Sequence, residues 1–248
     1  MAKQSRYSGI YSWYDEVGRV SMDGAGSKNK IQLGIKRGFD LLICISAMIL
    51  LWPVILVLSV IVKLDSQGPA FYKHKRIGRD GRAFDLYKFR SMVSGGDDSS
   101  YMDYLEALIK SEENGDGNGL PYRKMSEDGR VTRVGRYLRN YYLDEIPQII
   151  NVIKGDMSLV GPRPHVQFEV DFYTEEQKRR LSVKPGVTGL WQVAGKSDCS
   201  FHELIQLDLE YIDNWSLTKD FMLIFDTMRL ILQGGEKFWA RANKTIPS

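Results

Sequence analysis

The sequence predicts a helix-rich α+β protein with one membrane-inserted segment, and three observations support this fold class. Residues 41–62 read LLICISAMILLWPVILVLSVIV, which is 22 residues without a charge. Asp80-Gly81 separates two β-like arms and predicts a small hairpin. Apolar residues recur every three or four positions through 204–215 and 221–232, which predicts two amphipathic helices. The broad apolar face of the second helix either packs in the core or lies on the membrane interface.

The apolar run is long enough to enter a membrane. Twenty-two helical residues reach about 33 Å, and the hydrocarbon core is about 30 Å thick. The run is too long for the apolar part of a signal peptide. However, Pro53 removes a backbone hydrogen bond in mid-run, and basic residues flank both ends: Lys36 and Arg37 before it, Lys63 after it. A straight span is one interpretation; a helix broken at Pro53 that enters and leaves through one leaflet satisfies both observations.

The charge distribution favours anionic partners. The 34 basic and 31 acidic residues give a net charge of +3, which is short of a nucleic-acid-binding signature. Residues 94–129 hold nine acids and three bases, so the rest of the chain carries +9. Such a basic body suits phosphates, nucleotides or lipid headgroups. The acidic stretch itself contains GGDDSS and NGDGNG, which predicts a flexible surface insertion.

Several common chemistries lack their motifs. Cys44 and Cys199 lie far apart without metal-ligand spacing, and the three histidines form no HExxH, so a disulfide and a zinc site are both disfavoured. Walker A, GxSxG, Rossmann and EF-hand patterns are absent from the sequence. The kinase and hydrolase classes therefore lose their main support.

Asp144-Glu145 is the most informative acidic pair. In a purely structural interpretation Asp144 is a helix N-cap, Glu145 lies in the first turn, and Pro147 is compatible with that position. The same geometry permits chemistry, because an ionised carboxylate at a helix N-terminus can attack phosphorus. The neighbouring acid could then hold Mg²⁺ against a pyrophosphate, so we treat Glu145 and Asp144 as candidate metal ligands.

Four arginines recur every three residues before this pair: Arg130, Arg133, Arg136 and Arg139. They form either a solvated basic face or contacts to phosphates. Arg163 stands between two prolines, in either a simple tight turn or a preorganised phosphate-binding turn. Lys88 and Arg90 alternate with Phe89 and so share one face of a strand, which is either a solvent face or part of the site.

A turn at Lys184-Pro185-Gly186 is followed by a predicted strand that carries Thr188, Trp191 and Gln192. Trp191 is a core residue by default, and alternatively stacks on a base or sugar. We therefore take Lys184 as a candidate phosphate ligand and the three strand residues as candidate nucleotide or sugar ligands.

Six blocks in order resemble one family closely. They are KRGFDLL, RIGRDGRAFDLYKFRSM, RVTRVGRYLR, YLDEIPQIINVIKGDMSLVGPRP, KPGVTGLWQVAGK and LDLEYIDNWSLTKDFMLIFDTM. This pattern, spread over residues 36–232, is similar to that of the bacterial sugar transferases known as monotopic phosphoglycosyl transferases. The resemblance implies a re-entrant helix–break–helix and a catalytic domain sunk partly into the inner leaflet on the cytoplasmic face.

The resemblance also implies an activity. Members transfer a sugar-1-phosphate from a UDP-sugar to a polyprenyl phosphate, usually undecaprenyl phosphate, and release UMP. It implies that Asp144 is the nucleophile that forms a covalent phosphosugar intermediate, that Glu145 is linked to Mg²⁺, and that Lys88 supports the site. Arg139 and Arg163 match arginines that contact phosphate. We further expect Arg90 to bind substrate phosphate.

This chain departs from the family pattern in places. Trp52-Pro53 stands at the membrane break where many members have Ser-Pro, and Lys184 and Lys196 stand where arginine is frequent. We divide the chain into a tail (1–35), a re-entrant helix (36–62) and a catalytic domain (63–248).

Two other functions stay open. One is a membrane-anchored glycosyltransferase that releases UDP; the other is a non-enzymatic scaffold on anionic lipid. The expected partners are a UDP-sugar, undecaprenyl phosphate and inner-membrane lipids, without nucleic acid. A homodimer is an additional expectation.

Overall fold

The computed structural model describes residues 27–93, 107, 129–194 and 200–232. Its helices and strands, in chain order, are α1 (Ser27–Asp65), β1 (Phe71–Ile77), β2 (Ala83–Phe89), α2 (Arg133–Asn140), α3 (Gln148–Lys154), β3 (Ser158–Val160), α4 (Gln167–Asp171), β4 (Gly186–Thr188), α5 (Leu190–Ala194), α6 (Phe201–Asp213) and α7 (Leu217–Leu232). Three short 3₁₀ turns complete the described elements: Arg79–Gly81, Leu143–Glu145 and Gln177–Ser182. The helix-rich α+β fold with a small hairpin is confirmed.

The apolar run lies in the longest element, α1, which has 39 residues. By length and composition the stretch Lys30–Asp65 could cross a membrane. Within its most apolar 18 residues, only 6% of the residues are buried by the rest of the protein. The helix begins at Ser27, so residues 27–35 are helical and do not belong to the predicted tail. Pro53 lies inside α1 without ending it, since a proline can bend a helix that continues on both sides. The re-entrant path stays a prediction.

The amino-terminal half of α1 is held by charged contacts. Lys36 Nζ lies 2.5 Å from Asp220 Oδ2 on α7. Arg37 Nη1 donates to the Val152 carbonyl at 2.7 Å, near the end of α3, where a cation suits the helix dipole. Asp40 accepts a 2.7 Å hydrogen bond from Ser158 on β3.

The carboxyl-terminal end of α1 contacts the same body. Arg90 Nη2 donates to the carbonyls of Val62 at 3.0 Å and Ser66 at 2.6 Å. Asp65 accepts a hydrogen bond from the Val134 amide of α2 at 3.3 Å. Both ends of the apolar helix are therefore attached to one folded unit.

The hairpin is confirmed: β1 and β2 pair antiparallel, from Phe71↔Phe89 to Ile77↔Ala83. The turn uses two left-handed residues, Asp80 at φ 60° and Gly81 at φ 72°. Asn151 of α3 joins the hairpin from behind. Its amide accepts a hydrogen bond from the Tyr87 backbone N–H and donates to the Asp85 carbonyl, which continues the hydrogen bonding of β2.

The main core lies around α6 and α7, whose predicted helical patterns are confirmed. Its most buried members are Val160, Leu204, Ile205, Ile212, Trp215 and Leu223. β3 and β4 pair in parallel beside it. At Gly186 a Cβ would lie 2.1 Å from the Gly161 nitrogen, so this close approach of two chain segments requires glycine.

Helix α7 has two apolar faces. Leu223 is buried in the core, whereas Phe221, Phe225, Met228 and Leu232 are exposed. The exposed face joins α1, because the Phe221 and Phe39 rings meet edge to face at 5.0 Å. Core packing and an exposed apolar surface, which the sequence presents as alternatives, are thus both found on this helix.

The predicted acidic insertion leaves and re-enters the body at one point. Met92 forms a bridge with Val131, and the Val93 amide donates to the Arg130 carbonyl at 2.9 Å. Apart from Ala107 and Gly129, residues 94–129 lie outside the described part of the chain. Cys199 and Lys196 also lie outside it, and Cys44 is a buried free thiol.

Candidate active site

Asp144 sits at a sharp corner between α2 and α3. Tyr142 adopts the left-handed conformation at φ 57°, and the 3₁₀ turn Leu143–Glu145 follows. Helix α3 then starts after its own N-cap, Pro147. The N-cap interpretation of Asp144 is therefore wrong, because a separate turn carries this residue ahead of the helix.

The Asp144 carboxylate is buried but incompletely bonded. The side chain belongs to a residue with 4% exposure, and Oδ1 accepts no hydrogen bond from the residues that the structure describes. Buried polar atoms are rarely left without partners, since each such atom costs about 1–3 kcal/mol. Such an oxygen is available to a ligand, either as a nucleophile or as a metal ligand.

Glu145, its neighbour, has a charged partner. Lys88 Nζ, near the end of β2, lies 2.9 Å from Glu145 Oε1, and both side chains are largely buried, at 18% and 16% exposure. Two of the three residues expected to be catalytic, Lys88 and Glu145, thus form an ion pair, and the third, Asp144, precedes Glu145 in the same 3₁₀ turn.

A small cavity opens beside Glu145 and carries mostly positive charge. Its polar walls include Arg76, Lys88, Glu145, Gln148, Arg163 and Gln192. The same cations act on nearby His74. The pKa of its imidazole is lowered to about 3, mainly by burial and then by the positive charges of Arg76, Lys88 and Arg163. Because three cations surround one acid, the cavity suits an anionic group.

Arg163 enters this cavity from the turn between β3 and α4. Its guanidinium carbon lies 5.5 Å from the centre of the Trp191 ring, a cation–π distance that restricts the side chain. Gln192 Oε1 is buried and accepts no hydrogen bond within the described ranges. Trp191 and Gln192 lie on helix α5 and not on the predicted strand, since β4 already ends at Thr188.

The remaining expected ligands lie elsewhere. Arg90 Nε donates to Ser66 Oγ and its other nitrogens cap the end of α1, which favours a structural role over phosphate binding. Thr188 Oγ1 lies 2.7 Å from Thr227 Oγ1 of α7 in the interior. Lys184 lies on the α1 side of the body, where its pKa is lowered, mainly by burial and then by the charges of Arg37 and Arg79.

Arg139 is half-buried in the last turn of α2, five residues before Asp144. Trp52 is exposed on α1 beside Pro53. Two residues that line the cavity were not singled out from the sequence: Arg76 and Gln148. Arg76 lies two residues from His74 on β1, so the two side chains share one face of the strand. This alternation is the sequence signal that could have pointed to Arg76.

The acidic pair fits a magnesium ion completed by substrate. In the parts of the chain that the structure describes, no group of three or more His, Cys, Asp or Glu side chains forms a metal site. Mg²⁺ needs no such cage, since it is commonly held by one or two carboxylates together with substrate phosphates. The free Oδ1 of Asp144 and the adjacent Glu145 carboxylate offer that donor set.

The body attached to the long apolar helix thus carries a cationic cavity lined by Glu145, the neighbour of the buried Asp144. The sequence profile described as bacterial sugar transferase matches residues 31–234, and the chain belongs to this family. The resemblance found in the six sequence blocks is thereby confirmed.

Curated relatives fall into short and long proteins. The chain is 42% identical over 193 residues to the exopolysaccharide production protein ExoY of Sinorhizobium fredii, covering 78% of this chain and 83% of that protein. It is 40% identical over 199 residues to the undecaprenyl-phosphate galactose phosphotransferase of Salmonella typhimurium, covering 80% of this chain and 40% of that protein. It is 37% identical over 234 residues to the UDP-N-acetylgalactosamine-undecaprenyl-phosphate N-acetylgalactosaminephosphotransferase of Aeromonas hydrophila, covering 88% and 50% respectively.

Proposed function

We propose that this protein transfers a sugar-1-phosphate from a UDP-sugar to a polyprenyl phosphate, with undecaprenyl phosphate as the acceptor, and releases UMP. The observation that carries the proposal is the acid pair: Asp144 is buried with an Oδ1 that accepts no hydrogen bond from the described residues, and its neighbour Glu145 lines the cationic cavity. The names of the Salmonella and Aeromonas relatives support the donor and acceptor classes.

The reaction has two displacements at one phosphorus. Asp144 Oδ1 attacks the β-phosphorus of the UDP-sugar, the bridging P–O bond breaks, and its electron pair leaves with UMP. An oxygen of the polyprenyl phosphate then attacks the same phosphorus and releases the Asp144 carboxylate. In the first step the negative charge of the carboxylate passes to the departing UMP, and in the second step the attacking polyprenyl phosphate oxygen restores it, so no proton is transferred in either step. Alternating substrates of this kind give ping-pong kinetics.

The cavity residues stabilise the charge of the transferring group. Lys88 and Arg163 face the phosphates, and Trp191 orients Arg163 by the ring contact described above. Arg139 lies near enough in sequence to serve the leaving nucleotide. Asp144 and Glu145 would hold Mg²⁺, which when bound supplies charge neutralisation at the pyrophosphate.

The attachment of α1 supports a one-sided membrane anchor. Cys44 packs in a cluster with Leu86, and Val62 accepts a hydrogen bond from Arg90. In a straight helix the two α1 positions would lie about 27 Å apart. Leu86 on β2 and Arg90, the residue after β2, are four residues apart, about 13 Å along an extended chain. The long Arg90 side chain spans part of the difference, and a bend near Pro53, midway between the two α1 positions, would supply the rest.

Such a bent anchor places both ends of α1 and the catalytic body on one face of the bilayer. We assign that face to the cytoplasmic side of a bacterial inner membrane, where basic flanks are retained. The exposed apolar face of α7 continues the surface of α1 and suits the same interface.

Analysis of the nucleotide product tests the proposed reaction. The full chain in nanodiscs with undecaprenyl phosphate and a panel of UDP-sugars should release UMP, and Asp144→Asn should abolish the release. Asp171→Asn, an exposed carboxylate on α4, is the matched control and should stay active. Release of UDP would favour the glycosyltransferase alternative, and no nucleotide release at all would favour the scaffold.

A homodimer stays a prediction. The mass of the particle in nanodiscs, measured by light scattering, decides between one copy and two.

A further inference from the structure

Two buried ion pairs lie behind the Arg163 turn, and Arg76, a member of one of them, also lines the cavity. Arg180 Nη2 lies 2.5 Å from Asp208 Oδ2, with side chains 2% and 1% exposed. Arg76 Nη1 lies 3.7 Å from Glu169 Oε2, with side chains 6% and 0% exposed. Buried pairs contribute little net stability compared with apolar residues of similar volume, because both charges lose their hydration. Their presence calls for a different explanation.

The arginines of these pairs hold the backbone of the turn. Arg180 Nη2 donates to the Arg163 carbonyl at 3.1 Å, and Arg76 Nη1 donates to the Pro164 carbonyl at 3.2 Å. The amide of Gly186 donates at 2.8 Å to the carbonyl of the proline that precedes Arg163 in the turn. Three successive carbonyls of the turn therefore each accept a hydrogen bond from another segment.

The turn offers neighbouring segments mainly hydrogen-bond acceptors, its backbone carbonyls. Arg163 is flanked by two prolines, which have no N–H to donate. The two prolines can therefore be fixed only through their carbonyls, and a guanidinium with five N–H groups can supply such a donor while it also binds a carboxylate.

Asp208 orients the Arg180 guanidinium. Its Oδ2 accepts from both Nε at 3.1 Å and Nη2 at 2.5 Å, a two-point contact that fixes the plane of the group. Arg180 also donates to the Tyr173 hydroxyl and lies 2.9 Å from His165 Nδ1. These contacts fix the orientation of the guanidinium that donates to the turn.

We propose that Arg180 and Asp208 are positioning residues that act through Arg163. They fix the backbone at Arg163, so that its side chain lies against Trp191 and its charge reaches the phosphate in the cavity. This inference rests on the proposed function for the role of Arg163, and it adds two residues far from the reacting atoms.

A mutant cycle tests the inference. The paired apolar replacement of Arg180→Met with Asp208→Leu removes both charges together, so no unpaired charge is left in the interior. We expect it to fold and to lower kcat/KM about 100-fold, as displacement of a substrate-binding group does. Arg163→Met should cause a similar loss, and all three changes together should cause no further loss, because the residues act as one unit.

The matched control is the neighbouring exposed ion pair, Arg179 with Asp213. Arg179→Met with Asp213→Leu should leave kcat/KM unchanged, and its effect should simply multiply with that of Arg163→Met. If the paired variant fails to fold, Asp208→Asn keeps the side-chain volume and completes the same cycle.

A second readout does not depend on turnover. Calorimetric titration of UDP should show the same pattern: weaker binding in Arg163→Met and in the paired variant, without further weakening when they are combined. Multiplicative losses, or a paired variant with wild-type affinity and rate, would overturn the inference. A wild-type chain that binds UDP without releasing UMP would contradict the proposed function instead, and the binding cycle would still decide the positioning role.

Discussion

At the Asp144-Glu145 corner two adjacent carboxylates have different surroundings. Glu145 is neutralised by Lys88 at 2.9 Å, whereas Oδ1 of Asp144 has no donor among the described residues. Pairs of acids whose environments differ commonly divide the chemical roles between them. The free carboxylate is suited to attack, and the paired one to support it.

Removal of Lys88 tests this division. Lys88→Met leaves Glu145 half-buried without its cation and takes one positive charge from the cavity, so we expect kcat/KM for UMP release to fall about 100-fold. Lys75→Met is the control, since Lys75 lies on the same hairpin in an exposed ion pair with Asp85. Equal losses in the two variants would contradict the assignment of Lys88 to the site.

His165 makes stability sensitive to acid. The pKa of His165 is lowered well below 6.5, mainly by burial and then by the charges of Arg180, Arg163 and Arg76. The folded protein therefore keeps this ring neutral. The unfolded chain binds a proton below pH 6.5 and the folded chain does not. Stability is therefore full above that pH and falls as the pH decreases, by about 1.4 kcal/mol per unit for one histidine.

Thermal unfolding between pH 7.5 and 5.5 measures this effect. The wild-type Tm should fall with acid, and His165→Asn should show a smaller dependence although its Tm at pH 7.5 is lower. His202→Asn, on the exposed side of α6, should keep the wild-type slope. A slope in His165→Asn as steep as in the wild type would refute the explanation.

At the scale of elements, the site depends on how the hairpin meets α3. Lys88 is carried by β2 and Glu145 precedes α3, so their contact requires a fixed position of one element on the other. Asn151 supplies it through the Tyr87 amide and the Asp85 carbonyl, and its side chain is fully buried.

Asn151→Ala should weaken both stability and activity. Two backbone groups of β2 lose their partner, which should lower the free energy of unfolding by on the order of 2–3 kcal/mol. UMP release should fall as well, because Lys88 loses its position. Denaturant unfolding gives the first value. Asn214→Ala, which removes one bond to the Glu210 carbonyl at the end of α6, should cost less than about 1 kcal/mol.

Local signals predicted the elements that depend on local sequence. The hairpin followed from Asp80-Gly81, whose two residues both adopt the left-handed conformation. Helices α6 and α7 followed from their apolar spacing. In each case the information lies within one or two turns of chain.

Tertiary contacts decided the rest. The helix at Trp191 replaced a predicted strand because residues 190–194 pack on α6 and α7. Arg90 differed from expectation because its partners, the carbonyls at the end of α1, lie more than 20 residues away in sequence. Arg76 and Gln148 lie inside two of the six family blocks, but no pattern within those blocks pointed to a role, and the fold brings both residues to the cavity.

At the scale of the whole molecule, α1 joins an apolar anchor to the body through both of its ends. Cysteine labelling tests this topology. Lys30→Cys and Gln67→Cys, both at exposed positions, should react with a membrane-impermeant maleimide from the same side of inner-membrane vesicles. Cys199→Ser provides the background, and Cys44 is fully buried, which shields it from the reagent. Reaction from opposite sides would establish a transmembrane span.

The covalent intermediate is the central claim, and intact-mass spectrometry tests it most directly. The full chain is incubated with Mg²⁺ and its UDP-sugar without polyprenyl phosphate, and peptide mapping then locates any added mass. A sugar-phosphate adduct on Asp144, absent in Asp144→Asn and discharged by undecaprenyl phosphate, is the predicted result. An unmodified chain that still releases UMP once the lipid phosphate is added would contradict it.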